Sequence, residues 1–346
     1  MKIAFFVYPS AFQAPGGGEI VLLKTKQALE EKGIYVKLFN QWEDSLKEFD
    51  ILHVFGSVKE CLGLMLTARN LGTRVVLVPI FWSSFQRAWN EYGGLSKKLQ
   101  MTLRHLVKVV FPIMPSARRK MMVSADAVTV NSMAEVKQVS RLFCIDKRKI
   151  HIVYLAADER FSRADSLEFI DKYDIKDFVL SVGRIEPRKN QLNLIKAMKG
   201  SGKKAVFIGD PVPGYEKYHK ACLDEADKDT LFIGRVDHES SLLSSAYAAS
   251  GVFVLQGWLE TPGLVALEAG LAGARLAVTQ VGSTREYFKD HAEYFNPASP
   301  KSIREAIDRA VKRDKDDRLK KYILNYFLWP KAADENIIVY NKLIGK

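Results

Sequence analysis

The chain has 346 residues, of which 47% are apolar, and it carries a formal net charge of +12. This length suits two domains better than one, and no apolar run is long enough to span a bilayer. A predicted strand follows Met1 directly, so we expect no signal peptide. The cysteines, Cys61, Cys144 and Cys222, lie far apart without metal-ligand spacing, which favours a reducing, cytoplasmic location.

Most of the positive charge lies in the first half of the chain. Residues 1–160 contain 23 Lys and Arg against 14 Asp and Glu, which accounts for +9 of the +12. A basic half of this kind favours polyanions or an anionic membrane surface as partners.

Strands and helices alternate along the first half, which predicts a parallel, doubly wound sheet. The predicted strands are Ile3–Tyr8, Tyr35–Phe39, Asp50–Phe55, Arg74–Pro79, Asp126–Val130 and Lys149–Val153. The predicted helices are Glu19–Lys32, Val58–Leu71 and Ser132–Phe143.

The loop after the first strand ends in contiguous glycines, and Gly17 and Gly18 would let the backbone approach a ligand closely. A dinucleotide-binding loop is the alternative. It fits poorly, because the glycines are not spaced as G-x-G-x-x-G and the second strand ends at Asn40 rather than at an acid. His53, near the end of the third strand, is either a packed residue or a catalytic one.

Residues 95–122 form an unusual basic segment with seven cations and no acid. Apolar residues lie between the cations at helical spacing until Pro112 and Pro115 interrupt the pattern. A basic amphipathic helix suits the membrane interface. The alternative is a helix that packs on its own domain and exposes a solvated basic face.

A polar, irregular segment, 154–177, is predicted to link the halves, and strand–helix units follow it. The predicted strands are Phe178–Val182, Ala205–Gly209, Thr230–Ile233, Val252–Leu255, Arg275–Thr279 and Glu293–Phe295. The predicted helices are Gln191–Met198, His238–Ala249, a helix from Leu264 to near Gly273, Ser302–Lys312, Asp316–Phe327 and Pro330–Leu343.

The loop after the strand Phe178–Val182 contains Gly183, Arg184 and, five residues later, Lys189. Two cations just beyond the end of a strand suit a diphosphate.

The stretch from Val252 to Glu268 is a strand, a loop and the start of a helix. Ligands of parallel sheets bind at such loops, and the first helical amides, near Gly263, Leu264 and Val265, favour a phosphate. Glu260 before the helix and Glu268 two turns inside it could contact opposite ends of one extended ligand. The alternative is an unrelated pair of acidic residues.

No metal site is expected. Asp227-Lys228-Asp229 precedes a predicted strand, and Asp314-Lys315-Asp316 lies among basic helix residues. A metal-binding Asp-x-Asp would instead follow a strand, at the edge of the sheet where ligands bind. Arg184 and Lys189 could stabilise the charge of a diphosphate in place of a metal ion.

Together with Gly282-Ser283 and Glu286, these motifs resemble the retaining nucleotide-sugar glycosyltransferases of family 4, also called glycosyltransferase group 1. The resemblance implies the GT-B architecture, an α/β fold of two Rossmann-like doubly wound domains that face each other across a cleft. It implies an acceptor-side domain at 1–160, a nucleotide-sugar domain at 161–328, and a last segment, 329–346, that crosses back to the first domain.

The resemblance also implies roles for individual residues. Glu268 would hold the donor ribose and Glu260 a hydroxyl of the donor sugar, while Gly183 and Arg235 would bind the donor and its base. Gly17 and Gly18 would face the diphosphate.

Family members have a histidine after the fourth strand, but here Pro79 to Ser84 contains none. The acceptor-side candidates are therefore His53, Trp82 and Ser83. The nearby aromatic residues would stack on a sugar or form a core; they are Phe81, Trp82, Phe85 and Trp89.

The expected function is retaining, metal-independent transfer of a sugar from a UDP- or GDP-linked donor to a glycan or lipid-linked acceptor. The product would serve cell-surface polysaccharide or glycolipid synthesis. We expect no cofactor besides the nucleotide-sugar substrate, no nucleic-acid partner, and a cytoplasmic protein at or near the inner membrane face. The alternatives are a sugar-nucleotide epimerase or phosphorylase of the same architecture, and a non-catalytic basic binding protein.

Overall fold

The computed structural model describes residues 1–13, 16–90 and 92–345. Ala14 and Pro15 of the predicted glycine loop, and Lys346 of the predicted last segment, lie outside these ranges. The chain divides into two compact units. The first consists of Met1–Ser83, Leu103–Ala156 and Trp329–Lys346, and the second of Ser84–Thr102 and Ala157–Leu328.

The first unit contains a parallel sheet. Its strands are β1 (Lys2–Val7), β2 (Tyr35–Leu38), β3 (Ile51–Phe55), β4 (Arg74–Val78), β5 (Ala127–Val130) and β6 (Ile150–Ile152). Their order is β2-β1-β3-β4-β5-β6. The chain therefore changes direction across the sheet between β1 and β3, which is where such sheets form a ligand crevice. The apolar run of β3 is buried along its whole length, as expected for a strand covered on both faces.

The second unit contains another parallel sheet. Its strands are β7 (Val179–Val182), β8 (Ala205–Ile208), β9 (Thr230–Ile233), β10 (Val252–Leu255), β11 (Arg275–Thr279) and β12 (Ala292–Phe295). Their order is β12-β11-β10-β7-β8-β9, so the crevice lies between β7 and β10. The prediction of two Rossmann-like doubly wound domains is confirmed.

The helices connect these strands. They are α1 (Gly17–Glu31), α2 (Leu62–Asn70), α3 (Phe85–Asn90), α4 (Leu95–Val110), α5 (Ala117–Ser124), α6 (Met133–Phe143), α7 (Leu167–Tyr173), α8 (Gln191–Met198), α9 (Glu216–Glu225), α10 (Ser241–Ala249), α11 (Leu264–Leu271), α12 (Thr284–Phe288), α13 (Pro300–Lys312), α14 (Arg318–Tyr326) and α15 (Trp329–Ile344). Helix α15 belongs to the first unit, and the division between the units falls within α4. None of the described helices is both long and apolar enough to cross a membrane.

The prediction of an irregular linker over 154–177 is wrong for most of its length. The segment contains a 3₁₀ turn, Glu159–Arg163, and then α7, and both belong to the second unit. Phe161 and Phe169 are fully buried there, and the ring of Phe169 lies 5.1 Å from that of Phe178. Two buried phenylalanines in an otherwise polar segment produce no hydrophobic periodicity, so the sequence pattern did not predict their burial.

The predicted interruption of the basic segment at Pro112 and Pro115 is confirmed. Helix α4 ends at Val110, and α5 starts after Ser116, whose hydroxyl accepts a hydrogen bond from the Arg119 amide. Helix α10 starts at Ser241 rather than at His238, because the Ser240 side chain caps it. His238 therefore lies in a loop.

Candidate functional site

Three loops of the second unit meet at the carboxyl ends of β7, β10 and β11. The Asn190 amide nitrogen donates to the Gln256 carbonyl oxygen at 3.1 Å, which joins the first loop to the second. The Ser283 amide donates to the Glu260 carbonyl oxygen at 3.0 Å, which joins the second to the third. The predicted motifs are thus brought together at the crevice of this sheet.

A buried ion pair forms the centre of this region. Lys189 Nζ lies 2.9 Å from Glu260 Oε1, and the two side chains are only 18% and 4% exposed. Burial lowers the pKa of Lys189, and the neighbouring Glu260 carboxylate opposes that lowering. Removing either charge would leave the other buried without its partner, which is costly in a folded protein.

Two glycines make room for the Glu260 side chain and backbone. A Cβ atom on Gly257 would overlap Oε1 of Glu260. A Cβ atom on Gly282 would overlap the Glu260 carbonyl oxygen, and Gly282 also has φ of 109°, which favours glycine. Glycine is therefore required at both positions if Glu260 is to reach Lys189.

Helix α11 begins beside this ion pair. Its N-cap residue is Gly263, which has φ of 85° and no side chain that could cap the helix. The next amides, those of Leu264 and Val265, belong to the first turn, which has no acceptors within its own helix. The helix start can therefore donate hydrogen bonds to a phosphate oxygen.

Glu268 lies two turns into α11 and is only 3% exposed. Its Oε1 is 2.7 Å from His238 Nε2, and its Oε2 accepts a hydrogen bond from the Tyr247 hydroxyl at 3.0 Å. Burial opposes protonation of His238, but the hydrogen bond and charge of Glu268 outweigh it and raise the pKa of His238. The carboxylate is therefore held in one orientation from both sides.

Sequence reasoning did not identify His238 or Arg160 as residues of the site. Arg160, in the segment predicted to be a linker, donates from Nη2 to the His238 carbonyl oxygen at 2.6 Å. The same nitrogen lies 3.4 Å from His238 Nδ1. The only available signal was a histidine close to the predicted base-binding residue Arg235 and just ahead of a capped helix.

The remaining predicted donor residues are more exposed. Gly183 has φ of 144°, and a Cβ atom placed on it would lie 3.8 Å from Cε of Lys189. The Arg184 and Arg235 side chains are exposed at the ends of β7 and β9. Both guanidinium groups are therefore accessible to a ligand.

The two Asp-x-Asp sequences have local roles on the surface. Asp227 accepts hydrogen bonds from the Asp229 amide and the Thr230 hydroxyl before β9. Asp316 pairs with Arg318, whose Nη2 lies 2.6 Å away. Neighbouring residues thus already use the carboxylates of Asp227 and Asp316.

In the first unit, α1 starts at Gly17, and a Cβ atom on Gly18 would contact Ile80 at an ordinary 3.6 Å. His53 is only 1% exposed, and its Nδ1 lies 2.6 Å from the Tyr340 hydroxyl of α15. Burial lowers the pKa of His53 to about 3, so the imidazole is neutral. These contacts favour the packed alternative for His53 over the catalytic one.

Trp82 and Ser83 follow β4, at the carboxyl edge of the first sheet. Trp82 Nε1 donates to Glu135 Oε1 at 2.6 Å. The Ser83 hydroxyl lies 2.8 Å from Nδ1 of His105, a residue of α4 that sequence reasoning missed. A histidine therefore does contact this loop, although it comes from a later helix.

Comparison with known proteins identifies the family. Residues 163–325 match the family model described as "Glycosyl transferases group 1". An uncharacterized glycosyltransferase of Methanocaldococcus jannaschii is 25% identical over 248 residues, which are 63% of this chain and 60% of that protein. The chain thus aligns with less than two thirds of that relative. The second unit of the chain therefore contains a group 1 glycosyltransferase domain.

Solved structures with the same fold cover the whole chain. Sucrose-phosphate synthase from Thermosynechococcus elongatus has a TM-score of 0.76 at 16% identity, with 100% of both chains covered. HepE of Anabaena, in complex with UDP and glucose, has a TM-score of 0.72 at 16% identity, with 98% of both chains covered. These likenesses, with the two sheets above, confirm the GT-B fold class.

The basic segment, residues 95–122, does not follow the packed alternative. The apolar stripe of α4 is exposed: Leu95 is 66% exposed, Leu99 52% and Leu103 62%. Further exposed apolar residues continue the same stripe and the loop after it; they are Leu106, Val110, Phe111, Ile113 and Met114. An exposed apolar stripe among cations is typical of a surface that binds a partner.

Proposed function

We propose that this glycosyltransferase is a retaining enzyme that transfers a sugar from a nucleotide sugar to a glycan or lipid-linked acceptor without a metal ion. The observation that carries the proposal is the position of the Lys189–Glu260 pair beside the uncapped start of α11. A cation and free helix amides suit the diphosphate of such a donor, and a buried carboxylate suits a sugar hydroxyl.

In the proposed reaction the bond between the sugar anomeric carbon and the phosphate oxygen breaks. Arg184, Lys189 and the first amides of α11 stabilise the charge that develops on the leaving diphosphate. The acceptor oxygen bonds to the same carbon from the same face, and its proton passes to the leaving phosphate oxygen. The products are a glycosylated acceptor and a nucleoside diphosphate. Arg184, Lys189 and the first amides of α11 supply the positive charge, so the proposal needs no metal ion and no cofactor.

Glu268 is proposed to hold the donor ribose. A carboxylate has about four lone-pair sites, and His238 and Tyr247 use two of those of Glu268. The remaining sites can accept hydrogen bonds from two ribose hydroxyls. The exposed Arg235 side chain, at the end of β9, is proposed to contact the base.

Thermal shift with UDP-, GDP- and ADP-sugars, followed by product analysis, tests the donor and the reaction. UDP-glucose is the first donor to try, because Anabaena HepE was solved with it. Sugar transfer that depends on an acceptor supports the proposal. Isomerisation or phosphorolysis of the donor without an acceptor would instead support the epimerase or phosphorylase alternative.

We place the acceptor at an anionic membrane surface, at the cytoplasmic face. The support is the exposed stripe of α4 together with the seven cations and no acids of residues 95–122. Each cation near an anionic leaflet contributes about 1 kcal/mol. The exposed leucine side chains of α4 add to this attraction when they enter the lipid interface.

Co-sedimentation with liposomes tests the membrane surface. Wild-type protein should bind anionic but not neutral vesicles, and high salt should weaken the binding. Replacing Leu99 and Leu103 by Gln should reduce it. Leu167→Gln is the matched control, because Leu167 on α7 is as exposed as Leu103 but lies outside the basic segment. No binding to anionic vesicles at low salt, or no effect of the α4 changes, would favour a soluble acceptor.

A further inference from the structure

A second group of cations lies in the first unit, at the carboxyl edge of its sheet. The Arg118 guanidinium carbon of α5 lies 4.7 Å from the centre of the Phe81 ring, and Lys108 Nζ of α4 lies 5.1 Å from it. Phe81 follows β4 by three residues. Arg118 Nε also donates to the Ser57 hydroxyl oxygen at 2.9 Å, just after β3. The two cations therefore meet beyond the carboxyl ends of β3 and β4, at the edge of the sheet on which ligands bind.

Both cations lack an acidic partner among the residues that the structure describes. In the ranges that the structure describes, no carboxylate pairs with Arg118 or Lys108, and both side chains are half-buried. Burial lowers the pKa of Lys108, and the charges of Arg118 and Arg104 lower it further. Burial also lowers the pKa of Arg118. A bound anion would offset both the burial and the mutual repulsion.

The cations also present unused donors. Arg118 directs Nε toward Ser57, while its terminal nitrogens make no hydrogen bond to any described residue. Lys108 Nζ contacts only the face of the Phe81 ring within the same ranges. The terminal nitrogens of a guanidinium group match the spacing of two phosphate oxygens, and a lysine adds a point charge.

A neutral polar pair lies next to the cations. His105 is one turn before Lys108 on α4 and lies 2.8 Å from the Ser83 hydroxyl. Burial, and then the Lys108 charge, lowers the pKa of His105, which keeps its imidazole neutral. A site with two cations and a neutral histidine–serine pair suits a ligand that has both phosphate and hydroxyl groups.

We infer that Arg118 and Lys108 bind a phosphate group of the acceptor. The acceptor class is then a phosphorylated sugar or lipid, rather than a neutral glycan. This inference rests on the proposed function, because it assumes that the first unit binds the acceptor. The phosphate of a soluble sugar phosphate and that of a lipid headgroup have the same chemistry, so experiment must separate them.

Calorimetry with inorganic phosphate tests the site directly. The titrations use an Arg184→Ala background, which weakens the diphosphate site of the second unit and keeps the buried Lys189–Glu260 pair. Adding Arg118→Gln or Lys108→Gln should each weaken phosphate binding about tenfold, the loss expected for one charge-assisted contact. Arg148→Gln is the matched control, because Arg148 is an exposed cation of the same unit that pairs with Asp146. It should bind phosphate like its background.

Vesicles of phosphatidylcholine, with or without phosphatidic acid, test the lipid source. Loss of binding in both variants with inorganic phosphate supports a soluble phosphate ligand, and loss only with phosphatidic acid vesicles supports a lipid one. If both variants bind both probes as their controls do, the inference is wrong. Lys108 makes no hydrogen bond to described residues, so Lys108→Gln should fold even if Arg118→Gln does not.

Donor binding separates this inference from the proposed function. If the phosphate site is wrong but the proposed function is right, both variants will bind phosphate like their controls, and the wild-type protein will still bind a nucleotide sugar. If the wild-type protein binds no nucleotide sugar at all, the proposed function itself fails.

Discussion

Replacing Glu260 by Gln tests the ion pair at the centre of the candidate site. Lys189 Nζ and Glu260 Oε1 lie 2.9 Å apart, and at an effective dielectric constant of about 20 such charges attract by about 6 kcal/mol. Most of this attraction offsets the cost of removing both charges from water. Gln keeps the volume and one acceptor oxygen but not the charge. We expect the free energy of unfolding to fall by about 1.5–3 kcal/mol, the range for a charged hydrogen bond.

The loss of unfolding free energy in Glu260→Gln should become smaller as the pH rises. Burial lowers the pKa of Lys189 and the Glu260 carboxylate opposes that lowering, so without the carboxylate the pKa falls further. The folded variant then loses the Lys189 proton at a pH where the unfolded chain still holds it. Its free energy of unfolding rises with pH across that window, because the unfolded state binds more protons. The deficit is therefore largest near neutral pH and shrinks toward 10.5, the ordinary lysine pKa.

Urea unfolding followed by tryptophan fluorescence measures both effects, since Trp258 is buried in the same loop as Glu260. The matched control is Glu225→Gln, which removes an exposed ion pair with Lys199 from the same unit. That change should cost at most about 1 kcal/mol. A variant at Glu260 that is as stable as this control at neutral pH, or a deficit that grows with pH, would refute the reasoning.

Three further predictions concern activity and donor binding. Arg184→Ala should reduce turnover by about two to three orders of magnitude, as for loss of one preorganised charge-stabilising group, whereas the exposed Arg163→Ala should not; equal rates would contradict the role. Glu268→Gln should weaken UDP binding about tenfold in calorimetry, and His238→Gln, which changes only the orientation of that carboxylate, should weaken it less. The reverse order would contradict the ribose assignment. Turnover should continue in EDTA, and a complete loss that Mn²⁺ restores would disprove metal independence.

The amino-acid sequence alone determined the two sheets and the loops that carry the site. Strands such as β8 and β10 are continuous apolar runs because both of their faces are buried, and that pattern depends on no distant residue. Helix α8, Gln191–Met198, was predicted with its observed bounds, since its start after Asn190 and its apolar face are local features. The cations and acids after β7 and β10 followed from the rule that ligands bind beyond strand ends.

Only the tertiary structure decided which of these side chains touch. Glu260 meets Lys189 from 71 residues away, and Glu268 meets His238 from 30 residues away. Neither periodicity nor spacing specifies such pairs, because each pair forms only when two separate parts of the chain fold against each other. The same holds for burial. Helical spacing revealed the apolar stripe of α4 but not that it is exposed, and the sequence showed His53 on a strand but not Tyr340 against it. A side chain's surroundings are set by what packs over its element, and that is a property of the whole fold.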